Sequence, residues 1–171
     1  MTWAVWFTGR PAAGKTTLAR ALKELAAARG TAVIHLESDS LRRILTPQAT
    51  YTAEERDRFY EMVAELAALL TEQGFPVIVD ATAPRRVHRE RARRLVPRLL
   101  EVFVDTPPDV CERRDPKGLY RASRRGEAPH VPGAGEPYEE PEWPDLVISG
   151  TSPPEEAIGS LWRLLHERGF L

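Results

Sequence analysis

Gly9-Arg10-Pro11-Ala12-Ala13-Gly14-Lys15-Thr16 is a complete G-x-x-x-x-G-K-[ST] phosphate loop, and its flanks decide the fold. Before it stands the apolar run Trp3-Ala4-Val5-Trp6-Phe7, which reads as a buried strand. After it, Leu18, Ala21, Leu22, Leu25 and Ala26 recur at helical spacing. In such a strand–loop–helix unit Gly9 and Gly14 let the backbone fold back, so that successive N–H groups point inward. The expected nucleotide-binding set is therefore Gly9, Arg10, Ala12, Ala13, Gly14, Lys15, Thr16 and Thr17. Lys15 is expected to be exposed, reaching the β- and γ-phosphates, and the Thr16 hydroxyl to ligate Mg²⁺. The implied ligand is a nucleoside triphosphate.

Outward from the loop, strand and helix patterns alternate, which implies an α/β architecture: a parallel five-stranded sheet covered on both faces. Further strands are expected at residues 31–36, 75–80, 99–105 and 146–148. Thr52-Ala53-Glu54-Glu55 reads as a capping box opening a long helix to about residue 73. Helices are also expected from Ser38, from Pro84 and from Pro107-Pro108. A last one, capped by Ser152-Pro153-Pro154-Glu155, carries Ile158, Leu161, Trp162 and Leu165. Residues 115–140 lose apolar periodicity and are rich in Gly, Pro, Arg and Glu, so they read as a mobile lid on one domain spanning 1–171.

Composition narrows the function. With 24 basic and 25 acidic residues among 171, no global field invites nucleic acid or an anionic membrane. No apolar run reaches the roughly 18 residues a bilayer span needs, and no signal pattern precedes the loop. The lone Cys111 leaves no disulfide within the chain, so a cytoplasmic setting is expected; it reads as packing. The four histidines and Cys111 lack metal-ligand spacing.

Three further stretches carry chemistry. Glu37-Ser38-Asp39-Ser40-Leu41-Arg42-Arg43 follows the second strand, on the sheet edge where ligands sit. There Asp39 could take an acceptor's proton or hold Mg²⁺, and Arg42 could hold an anion. Asp80 ends Val77-Ile78-Val79 as a second Mg²⁺ candidate. Arg113-Arg114-Asp115-Pro116-Lys117-Gly118-Leu119-Tyr120-Arg121 is a basic entry to the lid, suited to closing over phosphates.

The run Phe103-Val-Asp-Thr-Pro-Pro-Asp-Val-Cys111-Glu-Arg-Arg-Asp-Pro-Lys-Gly-Leu-Tyr120 resembles adenylylsulfate (APS) kinases. Gly126-Glu127, Gly133 and Pro137-Tyr138-Glu139 extend the resemblance. Those enzymes move the γ-phosphoryl of ATP to the 3′-hydroxyl of adenosine 5′-phosphosulfate, so the resemblance implies a P-loop NTPase fold, ATP and Mg²⁺. It implies Arg114 and Lys117 at the nucleotide. At the acceptor it implies Asp39, Arg42, Tyr51, Arg56, Pro84, Arg86, Lys117 and Leu119. Tyr51 stands where the family has a stacking Phe, and Pro84 and Arg86 match its S-P-[YF]-R.

The departures cluster at that acceptor end. Phe59, Glu61 and Met62 occupy the N-I-R-R positions, Val131 replaces an aromatic, and Gly135 an Asp. Glu37 and Ser38 replace an Asp and a Gly, and Ala83 a Ser. Ser38-Asp39-Ser40-Leu41-Arg42 and Val77-Ile78-Val79-Asp80-Ala81-Thr82 also resemble a broader group of small P-loop kinases, including polynucleotide-kinase-like and toxin-type kinases. APS is the leading acceptor, and the alternatives are another small metabolite such as a nucleotide or sugar derivative, or a 5′-hydroxyl polynucleotide. An ATP-binding module without acceptor chemistry is the alternative of another class. A homodimer is left open too.

Overall fold

The computed structural model describes residues 2–171. In chain order its elements are β1 (Ala4–Thr8), α1 (Lys15–Ala28), β2 (Ile34–Glu37), α2 (Ser38–Leu45), α3 (Ala53–Glu72) and β3 (Val77–Asp80). There follow α4 (Arg86–Leu95), β4 (Leu99–Asp105), α5 (Pro108–Arg114), α6 (Leu119–Arg124), β5 (Leu146–Ser149) and α7 (Pro154–Glu167). The strands form one five-stranded parallel sheet in the order β2-β3-β1-β4-β5.

Because β1 is central, every one of its residues is buried and its alternate side chains serve two cores. Val5 and Phe7 enter the cluster with Leu18 and Leu22 of α1 and Leu161 and Leu165 of α7. Ala4 and Trp6 enter the other, with Phe59 and Val63 of α3 and Ala92 of α4. Helix, sheet and helix thus make three layers, as the alternating pattern requires. In register, Phe7 pairs with Asp80 and Asp80 with Glu37, so the carboxyl ends of β1, β3 and β2 share one edge.

Several boundaries differ from expectation for local reasons. β2 starts only at Ile34, because the Thr31 N–H is taken by the Ala26 carbonyl at the end of α1 (2.9 Å). Thr52 does cap α3, accepting from the Glu55 N–H (3.3 Å). Glu55, however, does not reach back to Thr52 as a capping box requires. It accepts from the Thr50 hydroxyl (2.7 Å) and the Tyr51 N–H (3.2 Å), and pairs with Arg42. α4 begins at Arg86, not Pro84, and α7 is entered through Pro153 and Pro154 with no cap from Ser152.

Residues 115–140 are more ordered than their composition suggests. Asp115 accepts from the N–H groups of Tyr120 (3.2 Å) and Arg121 (3.1 Å), which fixes the start of α6 inside that segment. Tyr120, Val131 and Tyr138 are buried, Tyr120 in the core cluster of β1, α1 and α7 and Tyr138 against Phe103 and Thr8, so this segment borrows the body's core instead of building its own.

Candidate active site

The sheet edge opens into a cavity of about 1110 Å³ that runs from the phosphate loop to α2, α3 and residues 127–132. Backbone shape builds the nucleotide end. Gly9 has φ 153°, and a Cβ there would lie 2.7 Å from the Val104 carbonyl oxygen. The Thr106 hydroxyl donates to the Ala13 carbonyl (2.8 Å), and the Tyr120 hydroxyl to the Pro11 carbonyl (2.9 Å). Arg114 donates to the Gly150 carbonyl (2.8 Å), bridging the loop to the turn after β5.

Lys15 is buried, contrary to the expected exposure. Its ammonium donates to the carbonyls of Gly9 (3.0 Å) and Arg10 (2.9 Å), folding back into the loop that awaits phosphate. Burial pulls its pKa down to about 8, against the attraction of Asp80 and with help from the Lys117 charge.

Asp80 is buried at the cavity floor. Burial favours its neutral form, but His35, Lys15 and Thr16 outweigh that and hold its pKa below the usual carboxylate value. The His35 Nε2 stands 3.8 Å from Asp80 Oδ2, too long for a hydrogen bond, and both atoms are buried without a partner. An orphaned carboxylate oxygen near a phosphate-loop hydroxyl fits Mg²⁺, which takes a few protein oxygens and completes its shell with phosphate and water. Among the described residues no group of three or more His, Cys, Asp or Glu side chains forms a dedicated metal cage. Asp39, the other candidate ligand, is half exposed and ion-paired with Lys117 across the cavity.

Side chains build the acceptor end. Arg42 donates to Glu55 (2.7 Å), and its guanidinium lies over Phe59 (3.8 Å to the ring centroid) and Tyr51 (4.9 Å). Phe59, which stands at an Asn position of the resembled motif, is thus the buried floor beneath that arginine. Glu55 is pulled two ways: burial raises its pKa, while Thr50, Tyr51 and Arg42 lower it further, leaving it ionised. Those bonds also pin Tyr51 at φ 57°, a left-handed conformation uncommon for an aromatic residue. Arg56, buried, donates to the His130 carbonyl (2.6 Å) and to Glu136 (3.3 Å), tying α3 to the lid.

Of the residues singled out from sequence, Ala12, Gly14, Lys15, Thr16, Thr17, Asp39, Arg42, Tyr51, Arg56, Asp80, Arg114, Lys117 and Leu119 line this one cavity. Gly9, Arg10 and Ala13 shape the loop from behind its wall. The Arg10 side chain turns away to Glu140 (3.0 Å) and the Tyr138 ring. Pro84 and Arg86 lie outside the wall. Arg86 donates through its N–H to Glu139 (2.7 Å) and pairs with Glu142, anchoring the end of the lid segment. The Pro84 carbonyl accepts from the Glu139 N–H (2.8 Å).

The sequence reading missed Gly150, which lines the cavity and where a Cβ would fall 1.8 Å from the Thr106 hydroxyl and 2.2 Å from the Ala13 carbonyl. Its signal was there: Ser149-Gly150-Thr151-Ser152 follows the last strand, on the ligand edge of the sheet. Tyr138, quoted from sequence for the resemblance alone, was given no role; its hydroxyl meets Thr8 Oγ1 at 2.9 Å. Burial pushes that hydroxyl's pKa up to about 12, so it remains a neutral hydrogen-bonding anchor.

Comparison with known proteins follows the same lines. The adenylylsulphate kinase family model matches residues 1–149. An adenylyl-sulfate kinase of Synechococcus sp. (strain JA-3-3Ab) is 38% identical over 168 residues, covering 98% of this chain and 96% of that protein. One from Paraburkholderia xenovorans is 46% identical over 145 residues, covering 84% and 81% respectively. The Mycobacterium tuberculosis APS kinase CysC, solved in complex with AMPPNP and APS, superposes with a TM-score of 0.92 at 34% identity, over 96% of this chain and 98% of that one. The chain belongs to the adenylylsulphate kinase family and is a P-loop kinase.

Proposed function

We propose that this kinase transfers the γ-phosphoryl group of ATP to the 3′-hydroxyl of adenosine 5′-phosphosulfate. One observation carries the reading. A single cavity joins a complete phosphate loop to an end walled by Asp39, Arg42, Tyr51 and Arg56, the acceptor positions of the family's pattern. The relatives' shared name, and the AMPPNP and APS in the complex of the mycobacterial protein, support the same acceptor.

In this reading the loop N–H groups and Lys15 hold the triphosphate, and Arg114, which bridges the loop to the turn after β5, stands beside it. Thr16 and Asp80 are the residues that would hold Mg²⁺, with Asp39 as a further candidate; the ion would neutralise charge on the β- and γ-phosphates. Asp39 accepts the proton of the attacking 3′-hydroxyl. For that it must leave Lys117, and a γ-phosphate is the competing partner that draws the lysine away. Tyr51 offers a face for the acceptor's adenine, and Arg42 and Arg56 face its anionic groups. Residues 115–140, held against the body by Tyr120 and Arg56, cover both substrates and exclude water.

An ATP-consumption assay across APS, nucleosides, sugars and 5′-hydroxyl oligonucleotides tests the acceptor. Turnover is expected with APS at the lowest concentration. A sugar or nucleoside used better than APS overturns the reading and leaves the kinase assignment standing.

A further inference from the structure

Most cations lining the cavity are already engaged. Lys117 is paired with Asp39, Arg42 with Glu55 and Arg56 with Glu136. Lys15 and Arg114 donate to backbone carbonyls at the nucleotide end. The two arginines of the family's N-I-R-R stretch are absent: Glu61 and Met62 stand there, and Glu61 is paired with Arg91. Arg43 differs from all of these. It lines the same cavity from α2, its guanidinium donates only to the Ser40 hydroxyl (3.0 Å), and no ion pair forms at it among the described residues.

Its place on the helix gives that free charge a direction. Asp39 and Arg43 are four residues apart on α2, so they share a face one turn apart, with Arg42 beside them. A guanidinium there stands next to the group that receives the acceptor's proton, and its flat fork of N–H donors suits phosphate and sulfate oxygens. Its partner, the Ser40 hydroxyl, is neutral and donates in turn to Glu37 (3.3 Å), so a bound anion competes with no direct ion pair at Arg43.

We propose that Arg43 is a substrate-binding residue of the acceptor subsite, which grips the phosphosulfate of the acceptor and takes over the work of the missing arginines. The inference rests on APS as the acceptor. Its chemistry requires an anionic group on the acceptor, since an uncharged hydroxyl compound has nothing for Arg43 to hold.

Calorimetric titration of the full chain, saturated with Mg·ADP, tests it. APS and adenosine are titrated into the native protein, Arg43→Gln and Arg43→Lys. Arg43→Gln is expected to weaken APS binding about tenfold, as loss of one charge-assisted hydrogen bond does. Adenosine binding should not change, and Arg43→Lys should recover part of the loss. In turnover, KM for APS rises while kcat and KM for ATP stay within about twofold. Arg43 is exposed, so both variants should keep the native melting temperature. APS binding unaltered in Arg43→Gln overturns the inference and spares the acceptor reading. Equal weakening of APS and adenosine also overturns it, since the arginine would then act on the shape of the site. A native protein that binds no APS overturns both.

Discussion

The two ends of the cavity are held by different kinds of interaction. At the nucleotide end the groups that fix the loop are main-chain carbonyls: those of Gly9, Arg10, Pro11 and Ala13 receive Lys15, Tyr120 and Thr106. At the acceptor end they are charged side chains paired with one another, Arg42 with Glu55 and Arg56 with Glu136. A site made of backbone tolerates little change, because each glycine or turn is required by geometry. A site made of ion pairs can be retuned by a few substitutions while the fold stands. The departures from the family pattern accordingly fall at residues 37, 38, 59, 61, 62, 83, 131 and 135, and none falls in the phosphate loop.

The largest expected effect lies where the two ends meet. Asp39→Asn removes the candidate base and releases Lys117. The expectation is a fall in kcat of about two to four orders of magnitude, with nucleotide affinity little altered. Steady-state kinetics with a nucleotide titration beside them would separate the two. An unchanged kcat would reduce Asp39 to a latch for Lys117.

Next comes pH at the nucleotide end. Burial holds the pKa of Lys15 at about 8 in the empty protein, and bound phosphates favour its charged form. Nucleotide binding should therefore take up a proton above about pH 8, and affinity should fall by up to about tenfold per pH unit there. The empty fold responds with the opposite sign. Between about pH 8 and the ordinary lysine value of 10.5 the unfolded chain binds more protons at this residue, so Lys15's contribution to stability rises with pH. Calorimetry of ADP binding in buffers of different ionisation heat reads the proton. No uptake would mean that Lys15 stays charged in the empty loop.

A third test asks how rigid the backbone-built end is. Gly150→Ala would drive a Cβ into the Thr106 hydroxyl and the Ala13 carbonyl, and overpacking of that kind costs about 1–3 kcal/mol. Gly159→Ala, in α7 with nothing within 4 Å of the added Cβ, should instead stabilise by roughly 0.5–1 kcal/mol. Thermal melts of the two, with nucleotide affinity for the first, check both signs. Equal melting temperatures would show that the turn after β5 yields easily.

The same contrast explains what the sequence disclosed. β4 was legible to the residue, and the buried face of α7 was legible at Ile158, Leu161, Trp162 and Leu165, because apolar periodicity is a local signal. So was the phosphate loop, whose letters are its geometry. The order of residues 115–140 was not, since it depends on partners far along the chain. Tyr138 meets Thr8 across 130 positions, and Tyr120 meets Pro11 across 109. Lys15 was misread as exposed because no local pattern shows a side chain folding back on its own loop. At the acceptor end the residues were identifiable but their pairing was not: Arg42 and Arg56, expected at the acceptor, are found engaged with Glu55 and Glu136.

The smallest expected effect concerns one of those engagements. Glu136 accepts from Arg56 Nη1 at 3.3 Å and also meets His130 Nδ1 at 2.5 Å. It sits on a lid turn shaped by Gly135, where a Cβ would fall 1.8 Å from the Pro129 carbonyl. Paired with Arg56, the Glu136 carboxylate offsets the positive potential that Arg56 offers an anionic acceptor. Partly exposed ion pairs are worth about 0–1 kcal/mol, so Glu136→Gln should change APS affinity by no more than about fivefold, in the direction of tighter binding. The glutamine can still accept from Arg56, which keeps the lid tied to α3 and isolates the charge. Titration with APS at two salt concentrations reads the effect, and the gain should shrink at the higher salt. Weaker binding at both would mean that Glu136 orients Arg56 for the acceptor instead of competing with it, and the acceptor end would then depend on fixed geometry as the nucleotide end does.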